Sequence, residues 1–368
     1  MLLDLKSIFY KLFTRGCQMQ KYTLTDTLLT FLDENNNLFI QLPNEENLVL
    51  EDVEMSSKLL ELFINPISKT EVTERMYDMK YDLEDSIDGI ISLLLDSNVI
   101  KPYYEFSEFK GLLSDHDRIK YDRQIAHFSS QKHNDQMSAI NYQKKIIDSK
   151  VLIIGVGGIG SYLSSGLAAI GVGNLTLVDF DNIELSNTSR QILYQEEDLG
   201  KEKLVVAKEK LLKINPQAEI NTVNMEITST EDLFLLDQFD FDIILLCADK
   251  PIGAIQYFVD EYSQNRGIPL LLGGPFAQGK IFLGPFMLPG KTKSYSEMVP
   301  KPNFDNINES LKRINQRSVS AIIDTDNAIG AKMMEVEAIK YLTKEYSTVA
   351  SKQIVVDTGD WSIEEITL

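Results

Sequence analysis

A glycine-rich turn between a predicted strand and a predicted helix is the clearest candidate for chemistry in the sequence. Residues 155–160 read Gly-Val-Gly-Gly-Ile-Gly, follow the apolar run Val151–Ile154 and precede a helical pattern over 161–170. Glycines allow a tight turn and let backbone N–H groups approach a phosphate at the positive end of a helix. Asp179 ends the next predicted strand, and its carboxylate suits ribose hydroxyls. The pattern predicts a nucleotide site that fits NAD and ATP equally well.

Two cations downstream favour a polyphosphate over a dinucleotide. Arg190 follows Asp179 along the chain, and Lys203 begins a predicted helix. A guanidinium and an ammonium near one glycine loop can hold β- and γ-phosphates and stabilise a departing pyrophosphate. Hydride transfer to nicotinamide needs neither, and no His or Tyr is obviously placed to catalyse it. Each cation alone is typical of a solvated surface, so the interpretation depends on both, together with Asn187 and Gln191.

The end of a third predicted strand adds a candidate magnesium ligand. Ile243–Leu246 is an apolar run, followed by Cys-Ala-Asp-Lys over 247–250. Asp249 is therefore expected in the same crevice as the glycine loop, where a carboxylate could hold Mg²⁺ against phosphates. Cys247 closes the apolar run, which predicts a packed, inert thiol rather than a nucleophile.

The elements around these residues alternate between strand and helix from Lys150 onward. This alternation predicts an α/β fold, a doubly wound, Rossmann-like, mostly parallel sheet with its sites at the carboxyl ends of the strands. The predicted strands cover 151–154, 175–179, 243–246 and 270–273, and the predicted helices cover 161–170 and 203–214.

The N-terminal part has a different pattern. A strand at 38–42 and a return at 48–50 predict a hairpin, and helices are predicted over 54–63, from Ser68 onward and over 83–97. A hairpin with three helices suggests a small α+β winged-helix domain, with an accessory packing subdomain as the plainer alternative. We expect this domain at 1–105, a polar connector at 106–149 and the α/β domain at 150–368.

Composition limits the classes of function. The 368 residues are 43% hydrophobic and 25% charged, with a net charge of −19, which gives no general footprint for nucleic acid or an anionic membrane. Two cysteines cannot form a disulfide framework or a four-cysteine zinc site, and their scarcity fits a reducing cytoplasm. His116, His127 and His133 match no standard zinc spacing.

The first residues resemble a secretion signal only superficially. Charged residues interrupt the apolar residues of Met1–Phe13, so a short amphipathic helix is the better prediction. No run of about 18 apolar residues is present, which argues against a membrane-spanning helix.

Taken together, the motifs resemble the ThiF/MoeB/HesA family, the adenylating relatives of ubiquitin-activating enzymes. The resemblance covers about 115–365 and depends on the glycine loop, Val-Asp-Phe-Asp, Ser-Asn-Thr-Ser-Arg-Gln, Gly-Lys-Glu-Lys and Cys-Ala-Asp; these segments are 155–160, 178–181, 186–191, 200–203 and 247–249. It implies Mg-ATP and adenylation of a carboxylate. The residues it implies for the nucleotide are Gly155, Gly157, Gly158, Gly160, Asp179, Asp181, Asn187, Arg190, Gln191 and Lys203.

The resemblance also implies roles for individual residues. Asp179 would bind ribose, Arg190 and Lys203 the phosphates, and Asp249 the magnesium. Tyr-Asp-Arg-Gln at 121–124 resembles the segment whose arginine reaches the partner subunit's ATP site, which would make Arg123 a catalytic residue in trans and the protein a homodimer.

Two departures from the family pattern concern cysteine. Many members carry paired Cys-x-x-Cys motifs for a structural zinc, but Ser294 and Glu297 occupy the positions of the first pair. No cysteine follows Cys247, so zinc is not expected. None lies in 292–330 to form a thioester, which disfavours transfer through an enzyme thiol.

The predicted N-terminal unit resembles the leader-recognition element of the family's peptide-modifying branch, which includes the microcin C7 enzyme MccB and the pantocin A enzyme PaaA. The predicted function is adenylation of a Glu side chain in a ribosomal precursor peptide, followed by cyclisation. A C-terminal Asn as the target, a non-catalytic leader-binding scaffold and a sulfur-carrier activator are the alternatives. The 18 acidic and 6 basic residues over 21–105 suggest that the leader carries basic residues. The segment 291–317 could equally be a mobile loop over the peptide site or a solvated crossover loop.

Overall fold

The chain forms two compact units in the computed structural model, one up to Tyr142 and one from Gln143. This division falls inside the connector predicted for 106–149, and the domain limits at 105 and 149 remain predictions. The structure describes residues 20–25, 28–41, 47–103, 111–130, 136–302, 310, 322–343, 347 and 349–368. The helix predicted over 1–13, Cys17, His133 and most of 303–321 lie outside the described residues.

The first unit contains two small antiparallel sheets and a set of short helices. Its strands are β1 (Lys21–Leu24), β2 (Leu29–Leu32), β3 (Leu38–Gln41), β4 (Leu48–Leu50), β5 (Ile67–Ser68) and β6 (Ile100–Tyr103). Its helices are α1 (Val53–Leu62), α2 (Lys69–Asp78), α3 (Ile87–Asp96), α4 (Asp115–Lys120), α5 (Asp122–Ser129) and the first part of α6 (Gln136–Asp148). The sheet orders are β5-β1-β6 and β2-β3-β4.

Local sequence accounts for the elements of this unit. The predicted hairpin is present, with Phe39 opposite Val49 in antiparallel register. Helix α2 begins at a capping box, in which the Ser68 backbone N–H donates to Glu71 Oε2 at 2.9 Å. The helix predicted from residue 83 begins later, at Ile87, because residues 83–86 form a turn, which Ser86 N closes by donating to Leu83 O at 3.0 Å.

The second unit is an α/β sandwich built on an eight-stranded sheet. Its strands are β7 (Lys150–Ile154), β8 (Asn174–Asp179), β9 (Glu219–Asn224), β10 (Ile243–Leu246), β11 (Leu270–Phe276), β12 (Lys280–Met287), β13 (Lys352–Asp357) and β14 (Ile363–Thr367). Its longer helices are α7 (Gly158–Ile170), α8 (Lys203–Ile214), α9 (Ile255–Arg266) and α11 (Asp324–Thr343), with the single turn α10 (Tyr295–Met298).

The strand order confirms the predicted doubly wound, mostly parallel sheet. The order is β14-β13-β12-β11-β10-β7-β8-β9, parallel from β11 to β9 and antiparallel from β11 to β14. Strand β8 lies on one side of β7 and β10 on the other. The carboxyl ends of β7 and β10 therefore border the switch point, where open α/β sheets bind their ligands.

The antiparallel edge and α11 were not predicted, because their sequences do not show the usual periodicity. Strand β14 is largely exposed, and its sequence reads Ile-Glu-Glu-Ile-Thr. Helix α11 buries polar residues among its apolar ones, including Asn327, Glu335 and Glu337. Its apolar stripe is therefore interrupted. No helix within the described ranges is long and apolar enough to cross a membrane.

Candidate active site

The glycine loop is shaped by two close backbone approaches. Gly155 has φ +91°, and a Cβ there would lie 2.8 Å from Ala248 N. A Cβ on Gly160 would lie 1.9 Å from Gly155 O. Side chains at these positions are excluded, so the loop keeps its backbone open at the start of α7. The helix begins at Gly158, three residues before the predicted limit, and its first N–H groups are those that an anion would meet.

Asp179 fixes this loop to the end of β8. Its Oδ2 accepts from Val156 N at 2.7 Å, and its Oδ1 accepts from Asp181 N at 2.9 Å. The residue is only 9% exposed. A carboxylate oxygen has more than one lone pair, so the two backbone bonds leave acceptor capacity for a hydroxyl. Asp179 therefore shapes the turn and can also accept from a ribose.

Lys203 forms the main ion pair of the site. Its Nζ lies 2.7 Å from Asp181 Oδ2, and its side chain is 5% exposed. The backbone adds a second link, since Lys203 N donates to Asp181 O at 3.1 Å. The ammonium is thus held beside the segment that follows β8, at the start of α8. The structure brings together Asp179, Asp181 and Lys203, as predicted.

Asn187, Arg190 and Gln191 lie on the following turn. Asn187 is buried and accepts from Glu184 N at 3.0 Å, which closes the turn, whereas the half-buried Arg190 donates through Nη1 to Ser186 O at 2.5 Å. Gln191 is buried, and its Oε1 finds no hydrogen-bond partner within the described part of the chain. Its Nε2 would be 3.7 Å from a Cβ on Gly157, which places the amide against the glycine loop.

Asp249 and Cys247 follow β10, as the sequence predicts, but in different environments. Asp249 is exposed, and its carboxylate has no protein partner among the described residues. Burial raises the pKa of the Cys247 thiol to about 12. The thiol is therefore protonated at neutral pH, which makes it a poor nucleophile.

Within the described segments, no three or more His, Cys, Asp or Glu side chains converge on a metal site. Asp249 would thus be a single protein ligand, an arrangement that suits Mg²⁺, because this ion keeps several waters and is commonly bound through one or two carboxylates and substrate phosphates. The residues present fit Mg-ATP, with Asp249 as the ligand and Lys203 as the cation.

Tyr194 and Asn327 support the loop, and neither was predicted from the sequence. The buried Tyr194 hydroxyl donates to Val156 O at 2.8 Å, and burial together with Asp179 and Asp181 raises its pKa. Asn327 lies on α11, and a Cβ on Gly158 would come within 2.5 Å of its Oδ1. Both contacts are long-range, so no local spacing could have indicated them.

Asp198 organises the turn that precedes Lys203. It accepts from Lys210 at 2.7 Å, from Lys201 at 2.9 Å and from Gln195 N at 3.2 Å. Burial acts to raise the pKa of Asp198, but these hydrogen bonds outweigh it and lower the pKa to about 2. The turn pairs in addition with the segment after Asp181, through Ile183 N to Lys201 O at 2.9 Å.

Arg123 lies in the first unit, on α5. Its side chain is 93% exposed, and its Nε is 3.7 Å from Asp122 Oδ2. Of the remaining predicted site residues, all ten assigned to the nucleotide, as well as Asp249, belong to the second unit.

Comparison with known proteins agrees with this geometry. Residues 121–367 match the ThiF family. The molybdopterin-synthase adenylyltransferase of Haemophilus influenzae is 30% identical over 259 residues, which cover 70% of this chain and 97% of that protein.

Two solved structures extend the likeness to nearly the whole chain. The crystal structure of Escherichia coli MccB with MccA-N7isoAsn superposes with a TM-score of 0.77 at 25% identity, covering 94% of this chain and 96% of that one. Escherichia coli MccB has also been crystallised with ATP. The structure of PaaA superposes with a TM-score of 0.70 at 22% identity, over 93% of this chain and 99% of that one, which shows the fold alone.

The glycine loop and the Asp181–Lys203 ion pair thus lie within the matched region, at the carboxyl ends of the parallel strands β7 and β8. The chain belongs to the ThiF family and is an ATP-dependent adenylyltransferase.

Proposed function

We propose that the protein adenylates a carboxylate of a ribosomally made precursor peptide, as a step in the biosynthesis of a peptide antibiotic. The carboxylate oxygen attacks the α-phosphorus of ATP, the bond to the β-phosphate oxygen breaks, and pyrophosphate leaves. The product is an acyl-adenylate. A carboxylate is a poor electrophile because resonance spreads its charge, and the mixed anhydride with AMP gives it a good leaving group.

One observation supports a peptide as the substrate. The likeness to MccB, which has been crystallised with the peptide MccA, covers 94% of this chain and therefore includes most of the first unit. The family match begins only at residue 121, and the Haemophilus relative aligns with 70% of the chain. A sulfur-carrier activator gives no reason for the first unit, whereas a peptide-modifying enzyme does.

The first unit offers a plausible place for a leader. Strands β2 and β4 are the outer strands of their three-stranded sheet. An extended peptide can add to such an edge through main-chain hydrogen bonds. In our proposal, the winged-helix unit holds the leader in this way, and the acidic side chains of the unit favour a leader with basic residues.

The residues of the second unit supply positioning and charge. Asp179 would accept from the ribose, and the N–H groups at the start of α7 and the side chain of Arg190 would meet phosphate oxygens. Lys203, held in place by Asp181, would present its ammonium to the polyphosphate. Mg²⁺ on Asp249 would neutralise charge on the departing pyrophosphate. Catalysis of this kind depends mainly on orientation and electrostatic stabilisation.

Arg123 extends the proposal to a homodimer. Its guanidinium is solvent-exposed and is not consumed by a buried ion pair. We assign it to the phosphates of the partner subunit's site, so that each active site needs two chains.

A sulfur-carrier substrate is the second candidate. The Haemophilus adenylyltransferase is aligned over 97% of its length, so the whole catalytic domain is shared. Under this alternative the target carboxylate is the C-terminus of a ubiquitin-like carrier. The absence of any cysteine after Cys247 in the sequence disfavours a thiol-relay version of it.

The product of the reaction tests the proposal. The protein is incubated with Mg-ATP and each candidate precursor peptide encoded beside its gene, and the peptide is weighed by mass spectrometry. Activation of a Glu side chain followed by cyclisation removes one water from the peptide, and this is the result that we favour. A nucleotidyl group retained on a C-terminal Asn would select the alternative target. Reaction of a sulfur-carrier protein and of no peptide would contradict the proposal.

A further inference from the structure

A buried carboxylate on α9 holds the segment that precedes the crossover to α11. Asp260 is 1% exposed. Its Oδ1 accepts from Tyr295 N at 3.0 Å, and its Oδ2 accepts from Ser296 N at 3.0 Å and from Ser296 Oγ at 2.8 Å. Both oxygens of the carboxylate are therefore used by α10.

Tyr257, one turn earlier on α9, extends the same attachment. Its hydroxyl lies 3.3 Å from Val299 O and 3.0 Å from Pro300 O, to which it can donate. Its ring packs edge-on against Tyr295, with the centroids 5.1 Å apart. Asp260 and Tyr257 together fix residues 295–300 to the face of α9, and we call this pair the α9 clamp.

The positions at which the family resemblance implies zinc-binding cysteines lie in this segment and are occupied otherwise. Ser294 N donates to Glu297 Oε2 at 2.7 Å, and Glu297 N donates to Ser294 Oγ at 3.2 Å, so the two residues form a capping box. The hydrogen bond from the Ser294 backbone lowers the pKa of Glu297. A hydroxyl and a carboxylate that each accept from the backbone N–H of the other residue do not fit a tetrahedral thiolate site.

We propose that the α9 clamp performs in this chain the tethering that a zinc ion would perform, so that residues 295–300 are fixed without metal. A buried carboxylate is stable only when its oxygens are fully hydrogen-bonded, and Asp260 satisfies this requirement with three donors from α10. In return, the N–H groups of Tyr295 and Ser296, which no bond within the short helix could satisfy, gain a buried acceptor. The inference concerns the tether only, and it stands whether the substrate is a peptide or a sulfur carrier.

Hydrogen–deuterium exchange of the full-length protein tests the clamp directly. In Asp260→Asn, the amide group can replace only one oxygen as an acceptor and presents an N–H group to the other donors. We expect the amides of Tyr295 and Ser296 to exchange about tenfold to a hundredfold faster than in the wild type. Ser296→Ala removes one of the three bonds and is expected to give a smaller acceleration at the same amides. This variant keeps the test valid if Asp260→Asn folds poorly.

Asp232→Asn is the matched control. Asp232 also accepts from backbone N–H groups, those of Thr228 and Ser229, but these lie three and four residues before it along the chain. This substitution should accelerate exchange at 228–229 and leave 295–296 unchanged. Unchanged exchange at 295–296 in both Asp260→Asn and Ser296→Ala would overturn the clamp.

Metal analysis tests the other half of the inference. Inductively coupled plasma mass spectrometry of the purified protein should find far less than one zinc ion per chain. Treatment with the chelator 1,10-phenanthroline should leave hydrogen–deuterium exchange at residues 295–296 unchanged. Stoichiometric zinc, together with faster exchange at these amides after chelation, would show that a metal holds the segment and would overturn the proposal.

Discussion

At the scale of single residues, Lys203 and Asp181 form an ion pair that is already in place without a nucleotide. The ammonium is 2.7 Å from the carboxylate and its side chain is almost fully buried, so its position is determined before any phosphate arrives. Preorganised charge costs no reorganisation during the reaction. We expect Lys203→Met to lower ATP–pyrophosphate exchange by about a hundredfold or more, because the charge on the leaving group loses its cation.

Lys213→Met is the control for this variant. Lys213 lies on the same helix, pairs with Glu209 at 2.7 Å and is largely exposed. Its replacement should leave exchange within about twofold of the wild type, since exposed pairs contribute little. A Lys203→Met protein with the wild-type rate would show that this cation has no role in the reaction.

Substitution of Gly160 tests whether close backbone contacts determine the shape of the glycine loop. Gly160→Ala would place a methyl group 1.9 Å from Gly155 O, and backbone atoms cannot yield as a flexible side chain could. We expect the free energy of unfolding of the second unit to fall by about 3 kcal/mol or more. Denaturation by guanidinium, followed by circular dichroism, measures the change.

Gly89→Ala, at a glycine with free space around it in a helix, is expected to raise the free energy of unfolding instead of lowering it. Gly89 lies in α3, and a Cβ there would meet nothing within 4 Å. Alanine should therefore stabilise the first unit by about 0.5–1 kcal/mol. Equal effects of the two alanines would contradict the steric account of the loop.

Local spacing revealed the residues of the loop but not their supports. Glycine, Asp179 and Lys203 could be identified because each stands at the end of a strand or the start of a helix, where the fold decides the position of a side chain. Tyr194 and Asn327 reach the loop only through the tertiary fold. The backbone bonds of Asp179 were likewise not foreseen, because a sequence does not indicate how close two turns lie.

At the scale of elements, the turn before α8 is held by Asp198. Hydrogen bonds from lysine side chains and a backbone N–H lower its pKa to about 2, below the ordinary value of 3.8. A lowered pKa means that the folded state favours the charged form, so this carboxylate stabilises the fold above about pH 4. The contribution is lost as the pH falls through about 2.

Asp198→Asn measures that contribution. The variant should be less stable than the wild type by about 2 kcal/mol at pH 7, and the difference should shrink between about pH 4 and pH 2. Denaturant unfolding at a series of pH values gives both curves. A difference that stays constant over this acid range would mean that Asp198 does not titrate as its hydrogen bonds require.

The same scale shows where prediction of elements fails. Strands β7 and β10 are apolar throughout their buried part, and the limits of β7, β8 and β10 were predicted to within one residue. The carboxyl end of β11 and the half-exposed parallel strand β9 were not predicted. Strands β12–β14 are stabilised by pairing with their neighbours in the sheet, and helix α11 is stabilised by packing against it. Their own sequences therefore show little periodicity. The buried Glu335 and Glu337 interrupt the apolar stripe of α11, and no single-sequence periodicity could compensate for this.

At the scale of the whole molecule, the proposed role of Arg123 in trans predicts complementation between two inactive variants. Arg123→Ala and Lys203→Met are each expected to be inactive as homodimers. When they are mixed and allowed to exchange subunits, half of the dimers carry one active site with both residues intact. Because only one of the two sites in such a dimer is intact, the rate of ATP–pyrophosphate exchange should recover to about a quarter of the wild-type value.

A role for Arg123 within its own chain gives a different outcome. Every site in the mixed dimers would lack one of the two residues, and the activity would not recover. Size-exclusion chromatography with light scattering, on each variant and on the mixture, confirms that dimers are present when the rates are compared.

ATP–pyrophosphate exchange tests adenylation of a peptide most directly. It is measured for the wild type and for Asp249→Ala, with and without the precursor peptide encoded beside the gene. Asp249 is exposed, so its replacement should leave the fold intact. The account predicts exchange that requires the peptide and that Asp249→Ala abolishes. Tight peptide binding without exchange in the wild type would contradict it and leave a leader-binding scaffold.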